Sequence, residues 1–252
     1  MSAVDSVERY ILSFGGGVNT VALMILLLRD REPLDEAVFA DTGGEVPETY
    51  EYVQFAKSYL ADHGVPFRTV SNINGHDLYG TAWRRRVIPS AVWRWSTRDY
   101  KVRPIHRYYR SLQARINQYV GIAYDEIERM KHSGVPYVTN LYPLVDRKVT
   151  RAGCIEIIEE AGLPVPVKSG CFFCPFNSAD RWAWLHDKHP DLYERAVALE
   201  ENSKHFPRQR LTDQVYRERA VVTLRELKER MRRGEAVPAG EIQSPCGAAC
   251  MT

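Results

Sequence analysis

No apolar run in this chain comes near the roughly 18 residues that a membrane-spanning helix needs. The longest, Val21 to Leu28, is less than half of that. The first residues, Met1 to Arg9, carry acids and no apolar core, so neither export nor a membrane is expected and the default location is cytoplasmic. Cysteine is scarce: five residues, Cys154, Cys171, Cys174, Cys246 and Cys250. An odd number in such a chain argues against a disulfide framework, and the clustered spacing suits a metal or redox chemistry instead. A large net charge is also absent, the formal value being +2. There is no internal repeat and no low-complexity tract. With 44% hydrophobic and 26% charged residues, the 252-residue chain has the make-up of one large α/β domain, or of a domain with a small appendage.

What is present is an alternation of strand and helix. Residues 9–14 read as a short buried strand, broken by Gly15 to Gly17, and 19–29 as an apolar helix. A second strand at 36–40 leads through the loop 41–46 to a helix at 47–62 that opens on Pro47. Residues 67–70 read as a third strand, and 77–118 look helical and basic. Further strands are expected at 119–123 and 137–142, then a helix at 150–161 ending at Gly162. The tail after about 176 reads as helical, with a charged surface helix at 217–233. Such alternation implies a parallel sheet with right-handed crossovers.

The first loop reads Ser13-Phe14-Gly15-Gly16-Gly17-Val18-Asn19-Thr20, directly between strand and helix. Three glycines let the backbone turn tightly and approach an anion closely. Their N–H groups, with those of the helix start, form a phosphate cradle, to which Ser13 and Thr20 add hydroxyls. The loop has no Walker lysine and is not the spaced G-x-G-x-x-G of dinucleotide folds. The alternative is a glycine-rich turn that only joins two elements. The loop resembles the S-G-G-x-D-S loop of the PP-loop ATP pyrophosphatases, especially the phosphoadenylylsulfate-reductase-like branch. Gly16, Gly17, Asn19 and Thr20 fall on that pattern, with Asn19 where many members have Asp and Thr20 where they have Ser.

The loop after the second strand, Asp41-Thr42-Gly43-Gly44-Glu45-Val46-Pro47-Glu48-Thr49-Tyr50, contains the Asp-Thr-Gly of aspartic proteases. That reading needs a second such motif or a dimer in an all-β fold, against the βα alternation here. The segment is similar to the D-T-G…E-T-Y stretch of the reductase-like branch, which implies that Asp41 and Thr42 line the nucleotide site. Glu48 and Thr49 could instead cap and open the helix. Gly121-Ile122-Ala123-Tyr124-Asp125-Glu126-Ile127-Glu128-Arg129 is similar to the branch's G-I-x-x-D-E-x-x-R segment, making Gly121 a site residue. Arg129 suits phosphate bidentately, or forms a local ion pair with Glu126. The segment from Trp95 to Ile105 resembles one that commonly reads C-T-x-x-(F/Y)-K-(I/V)-x-P-(I/V), with Ser96 where Cys is usual and Lys101 at the basic position.

Cys171-Phe172-Phe173-Cys174-Pro175-Phe176 places two thiols at i and i+3, and Cys154 lies upstream. By the resemblance, Cys154, Cys171 and Cys174 remain from a four-cysteine pattern that in related sulfur-transfer members holds a 4Fe–4S cluster. Cys246 or Cys250 would complete the set, or the fourth position stays open. Cys154 near a helix start is expected to favour thiolate. Zinc on Cys171, Cys174, His186 and His189 is a near miss in spacing, and free thiols are the third option.

From Arg84 to Arg115 ten basic residues face one acid, Asp99, and aromatic side chains interleave with them. This suits a nucleic acid, tRNA or DNA, or else a helical subdomain with solvated arginines. The fold implied by the resemblance is α/β: a doubly wound parallel sheet of the adenine nucleotide alpha hydrolase type, with a helical, cysteine-bearing C-terminal part. Its division would be 1–165, including a basic insert at about 77–118, and 166–252. The implied activity is attack on the α-phosphate of ATP with Mg²⁺, releasing pyrophosphate and adenylating a substrate, a nucleic acid or a small molecule, from which a sulfur or nitrogen nucleophile then displaces AMP; a sulfur-donor protein is the partner this implies. Lys101, Arg129 and Asp41 would act in catalysis, and Ser13, Gly15, Gly16, Gly17, Asn19, Thr20, Asp41, Thr42 and Gly121 would hold the nucleotide. Two alternatives stand beside it: a sulfonucleotide reductase, and a non-catalytic nucleotide- or nucleic-acid-binding module of a DNA-modification or defence system.

Overall fold

Strands β1 (Glu8–Phe14), β2 (Glu36–Asp41), β3 (Phe67–Ser71), β4 (Arg115–Val120) and β5 (Val138–Leu141) form one sheet in the order β3-β2-β1-β4-β5. Every pairing is parallel, with Leu12 in register with Ala37 on one side and Tyr119 on the other. The structure is a computed structural model that describes residues 7–90, 94–212 and 222–235. The helices are α1 (Val18–Arg29), α2 (Pro47–Asp62), α3 (Leu78–Arg85), α4 (Trp95–Thr97), α5 (Arg103–Ser111), α6 (Pro143–Asp146), α7 (Arg151–Glu160), α8 (Ala179–Lys188), α9 (Pro190–Asn202) and α10 (Leu224–Arg232). Between α4 and α5 the backbone widens into a π turn, Arg98–Val102.

The two-residue period of a strand sends alternate side chains to opposite faces. Leu12, Phe14, Ala37, Phe39 and Tyr119 pack with α1, α2 and α7. Ile11, Val38, Ala40, Ile116 and Val138 pack with Ile105 and Tyr109 of α5. The sheet is thus covered on both faces, as expected for a doubly wound fold. The apolar run in α1 is explained here: Val18 to Leu27 are all buried, between sheet and α7. Among the described residues no helix is long and apolar enough to cross a membrane.

A second core joins α3 to α8, α9 and α10 around Phe173, Trp182 and Tyr193. Within it Glu200 is fully buried, and its carboxylate accepts from the backbone N–H groups of Leu211 and Leu224, both at 2.8 Å. A buried carboxylate is costly unless such donors satisfy it.

Two sequence expectations need correction. The fourth strand is Arg115–Val120, not 119–123, so it begins inside the stretch read as helical. Its polar residues obscured it: Gln118 is buried, donates to Asn140 Oδ1 and accepts from Tyr109, both at 2.9 Å. The other concerns the N-terminus of α2. Its cap is Val46, and Glu48 faces His189 Nε2 at 2.8 Å instead of capping. The expected helix 217–233 falls partly outside the described residues, which show Leu224–Arg232.

Candidate active site

Chain order reverses between β1 and β4, and in open parallel sheets the crevice beyond the strand ends at such a point receives ligands. Gly15 to Gly17 leave β1 there. Gly16 has φ +69°, and a Cβ on it would stand 3.3 Å from Thr49 Cγ2. Gly17 is the N-cap of α1 and offers no side-chain acceptor, so the first-turn N–H groups keep their capacity for an anion. Thr20 Oγ1 donates to Gly17 O at 2.9 Å and closes the turn. From the other side Gly121 approaches so closely that a Cβ would lie 2.7 Å from Thr20 Cγ2 and 2.9 Å from Thr20 N. Ser13 is fully buried at the end of β1.

A polar network lines the β4 side. Asn19 Nδ2 donates to Glu126 Oε2 at 2.8 Å, and Glu126 also pairs with the buried Arg129. Arg151 reaches Asn19 Oδ1 at 3.5 Å, while its N–H donates to Asp125 Oδ1 at 3.0 Å. Arg129 therefore makes the local ion pair, at the rim of the loop.

On the β2 side, Asp41 Oδ1 accepts from Gly43 N at 2.8 Å and from the Tyr50 hydroxyl at 2.9 Å. Burial, reinforced by the Asp41 charge, holds the Tyr50 phenol far above the ordinary tyrosine range. Thr42 Oγ1 donates to Glu45 Oε1 at 3.2 Å and lies 3.4 Å from Cys171 Sγ. Lys101, carried on the π turn, meets the same Glu45 oxygen at 3.5 Å. The other oxygen, Glu45 Oε2, is buried without a hydrogen-bond partner among the described residues. A small cavity of about 40 Å³ joins Thr42, Ser96, Lys101, Cys171 and Cys174.

The structure thus brings Ser96, which by the resemblance stands where a cysteine is usual, to the Cys171–Cys174 pair. It does not bring Cys154 there. Cys154 faces inward from α7 into the core beneath α1. Burial pushes its thiol up to about 12, so desolvation overrides the helix-start effect expected from sequence. The histidines diverge as well, His186 packing on the Tyr193 ring and His189 pairing with Glu48. Among the described residues no three His, Cys, Asp or Glu side chains converge to hold a metal ion. Among the described residues, two thiols beside a serine, a threonine and an ammonium do not complete the ligand set of a 4Fe–4S cluster or a closed zinc site. Cys246 and Cys250 lie outside the described residues.

Sequence reasoning missed three contributors. Glu45 was quoted in the loop but given no role. Ser169 lies over the glycine loop, its Oγ 2.8 Å from where a Gly17 Cβ would be. Arg181 stacks on Trp184 at 3.7 Å, and burial lowers its guanidinium to about 10 against the pull of Glu48, Cys174 and Glu45. Only their loop and helix positions reveal them, since no motif contains Ser169 or Arg181.

Fold and site together define an α/β domain with a glycine-rich loop at the switch point of a parallel sheet. The chain belongs to the phosphoadenosine phosphosulfate reductase domain family, whose model matches residues 9–135, half of its length. No curated protein matches it. Among solved structures it is similar to phosphoadenylyl-sulfate (PAPS) reductase from Candida auris in a phosphate complex, at 15% identity and TM-score 0.48, over 65% of this chain and 78% of that one. It is also similar to the U34-tRNA thiolase NcsA from Methanococcus maripaludis with its 4Fe–4S cluster, at 14% identity and TM-score 0.41, over 77% of this chain and 71% of that one.

Proposed function

We propose that this protein is an enzyme that binds ATP with its phosphates on the Gly15–Thr20 loop and cleaves it between the α- and β-phosphates. An acceptor oxygen, on a nucleic acid or a small molecule, attacks the α-phosphorus. The bond to the β-bridging oxygen breaks, pyrophosphate leaves, the acceptor's proton passes to solvent, and the acceptor is left adenylated. The observation that carries this reading is the α1 N-terminus, capped by Gly17 without a side-chain acceptor and opening on the switch-point crevice. A loop without lysine has no P-loop cation for γ-phosphate transfer.

In this reading Lys101 and Arg129 supply positive charge as the transition state develops, both from low-exposure positions where charge acts strongly. Glu45 holds Lys101 until a ligand draws it away. Mg²⁺ offsets the triphosphate charge when bound and needs one or two carboxylates besides the phosphates; Asp41, at the end of β2, is the residue proposed for it. No step is assigned to a cluster or to zinc, because the described cysteines do not assemble one.

ATP labelled in the γ-phosphate tests the chemistry. The expected labelled product is pyrophosphate, with AMP or an AMP–acceptor adduct as its partner. Steady formation of ADP and orthophosphate by pure protein refutes the reading. The family's name supports a second one, sulfonucleotide reduction. Sulfite release from phosphoadenylylsulfate with a dithiol reductant, and no pyrophosphate from ATP, would favour it.

A further inference from the structure

The basic stretch does not spread evenly over the surface. The end of α3 and the start of α5 converge on the loop that follows β3 and enclose a groove of about 390 Å³. Four guanidinium groups line it, those of Arg84, Arg85, Arg103 and Arg107, and the only acid among its lining residues is Asp99. Asp99 is already engaged with Arg98 and Arg103, each at 2.8 Å, and these cations hold its carboxyl below the usual range. Among the described residues Arg84 meets a histidine, His76 Nε2 at 3.1 Å, and no carboxylate. Arg107 makes no ion pair among the described residues. The groove therefore carries positive charge in excess of the acids that face it among the described residues.

The groove continues into a second cleft of about 440 Å³ that shares His76 and Arg84 and adds Trp83, Tyr79 and Asp77, whose carboxylate caps α3 at Gly80 N. Trp83 is 42% exposed and stacks on Tyr79 with ring centroids 6.2 Å apart. A large exposed indole beside a row of guanidinium groups is costly to leave in water. It is what an unstacked base and its phosphates would use. A duplex buries its base faces and would leave Trp83 idle, and acidic side chains pair with guanidinium groups but offer no ring to stack.

We propose that this groove binds the sugar–phosphate backbone of a single-stranded nucleic acid, with Trp83 as the platform for a base. The strand then lies next to the chemistry. Tyr100 of the π turn lines the groove, while its neighbour Lys101 lines the cavity with Cys171 and Cys174. The groove and that cavity thus share the π turn as a wall. The strand's role as acceptor rests on the adenylating reading above; its binding does not.

Fluorescence anisotropy with a labelled single strand of about 16 nucleotides, titrated at several salt concentrations, tests this. The substituted side chains are exposed, so the fold is preserved, and ATP binding in each variant is the control. Arg84→Gln with Arg107→Gln is expected to weaken binding at least about tenfold and to reduce the slope of log K against log salt by about 1.4, about 0.7 per lost phosphate contact. Trp83→Ala should weaken binding about tenfold with the slope unchanged. A wild-type protein that ignores the strand, an unchanged slope in the double variant, displacement by poly-glutamate at equal charge, or equal affinity for duplex overturns the proposal. Strand binding without ATP binding would retain the groove and refute the adenylating reading.

Discussion

An amide at residue 19 in place of a carboxylate is matched by its surroundings. Asn19 donates to Glu126, which a second carboxylate could not do, and Glu126 in turn fixes Arg129 at the loop. The amide at residue 19 thus has a carboxylate partner, a pairing invisible without the fold because 107 residues separate the two. Cys154 shows the opposite case, where a residue singled out by sequence for metal is held by its packing. With its thiol pushed from 9.0 to about 12, the folded protein keeps a proton that the unfolded chain has lost. The sign follows: this contribution is fully present below about pH 9 and is lost as pH rises toward 12, at about 1.4 kcal/mol per pH unit. Alkylation of the native protein at pH 8, read by mass spectrometry, should modify Cys171 well before Cys154, with Cys154 reacting only after denaturation. Equal rates would show that Cys154 is accessible.

At the scale of elements, the end of β4 and the start of α1 are fitted to each other through Gly121. A methyl group there meets the backbone N and Cα of Thr20 at 2.9 and 3.0 Å, and backbone cannot rotate away as a side chain can. Gly121→Ala is expected to cost about 1–3 kcal/mol of stability as an overpacking change, and to weaken ATP binding because the displaced group is the first turn of α1. Denaturant unfolding and nucleotide titration on the same variant check both; full stability with full affinity would mean that the two elements are not so constrained. Elements whose pattern is clean were legible. β1, α1, β2, α2 and β3 all appear within two residues of where periodicity and turn residues put them. β4 was legible only in part, because a parallel strand with buried Gln118 and exposed Arg115 lacks the apolar run that marks its neighbours. The π turn had no signature at all, yet it aims Lys101 at Glu45.

Over the whole molecule, two cores divide the work. The sheet and its helices set the crevice at the switch point, and the second core carries α8, α9 and α10 against α3 and fixes the Cys171–Cys174 loop on the loop after β2. The contact is direct: Phe172 N donates to Gly44 O at 2.9 Å, and Phe173 lies against Gly44. Fold class and the place of the glycine loop between β1 and α1 could be read from the chain because they rest on local pattern. The cavity shared by Ser96, Lys101 and the two cysteines could not, since it is assembled from three distant segments by tertiary packing. The claim on which the rest depends is that the glycine loop holds the phosphates of an adenine nucleotide. Equilibrium titration of ATP with Mg²⁺ against wild-type protein and Gly16→Val, with circular dichroism to confirm the fold, tests it most directly, because valine is strained at φ +69° and crowds Thr49. Wild-type protein should bind ATP more tightly than GTP, and Gly16→Val should lose at least about a hundredfold in affinity, the loss of several backbone N–H contacts to phosphate at about 1.5–3 kcal/mol each; unchanged affinity in a folded Gly16→Val protein would contradict it.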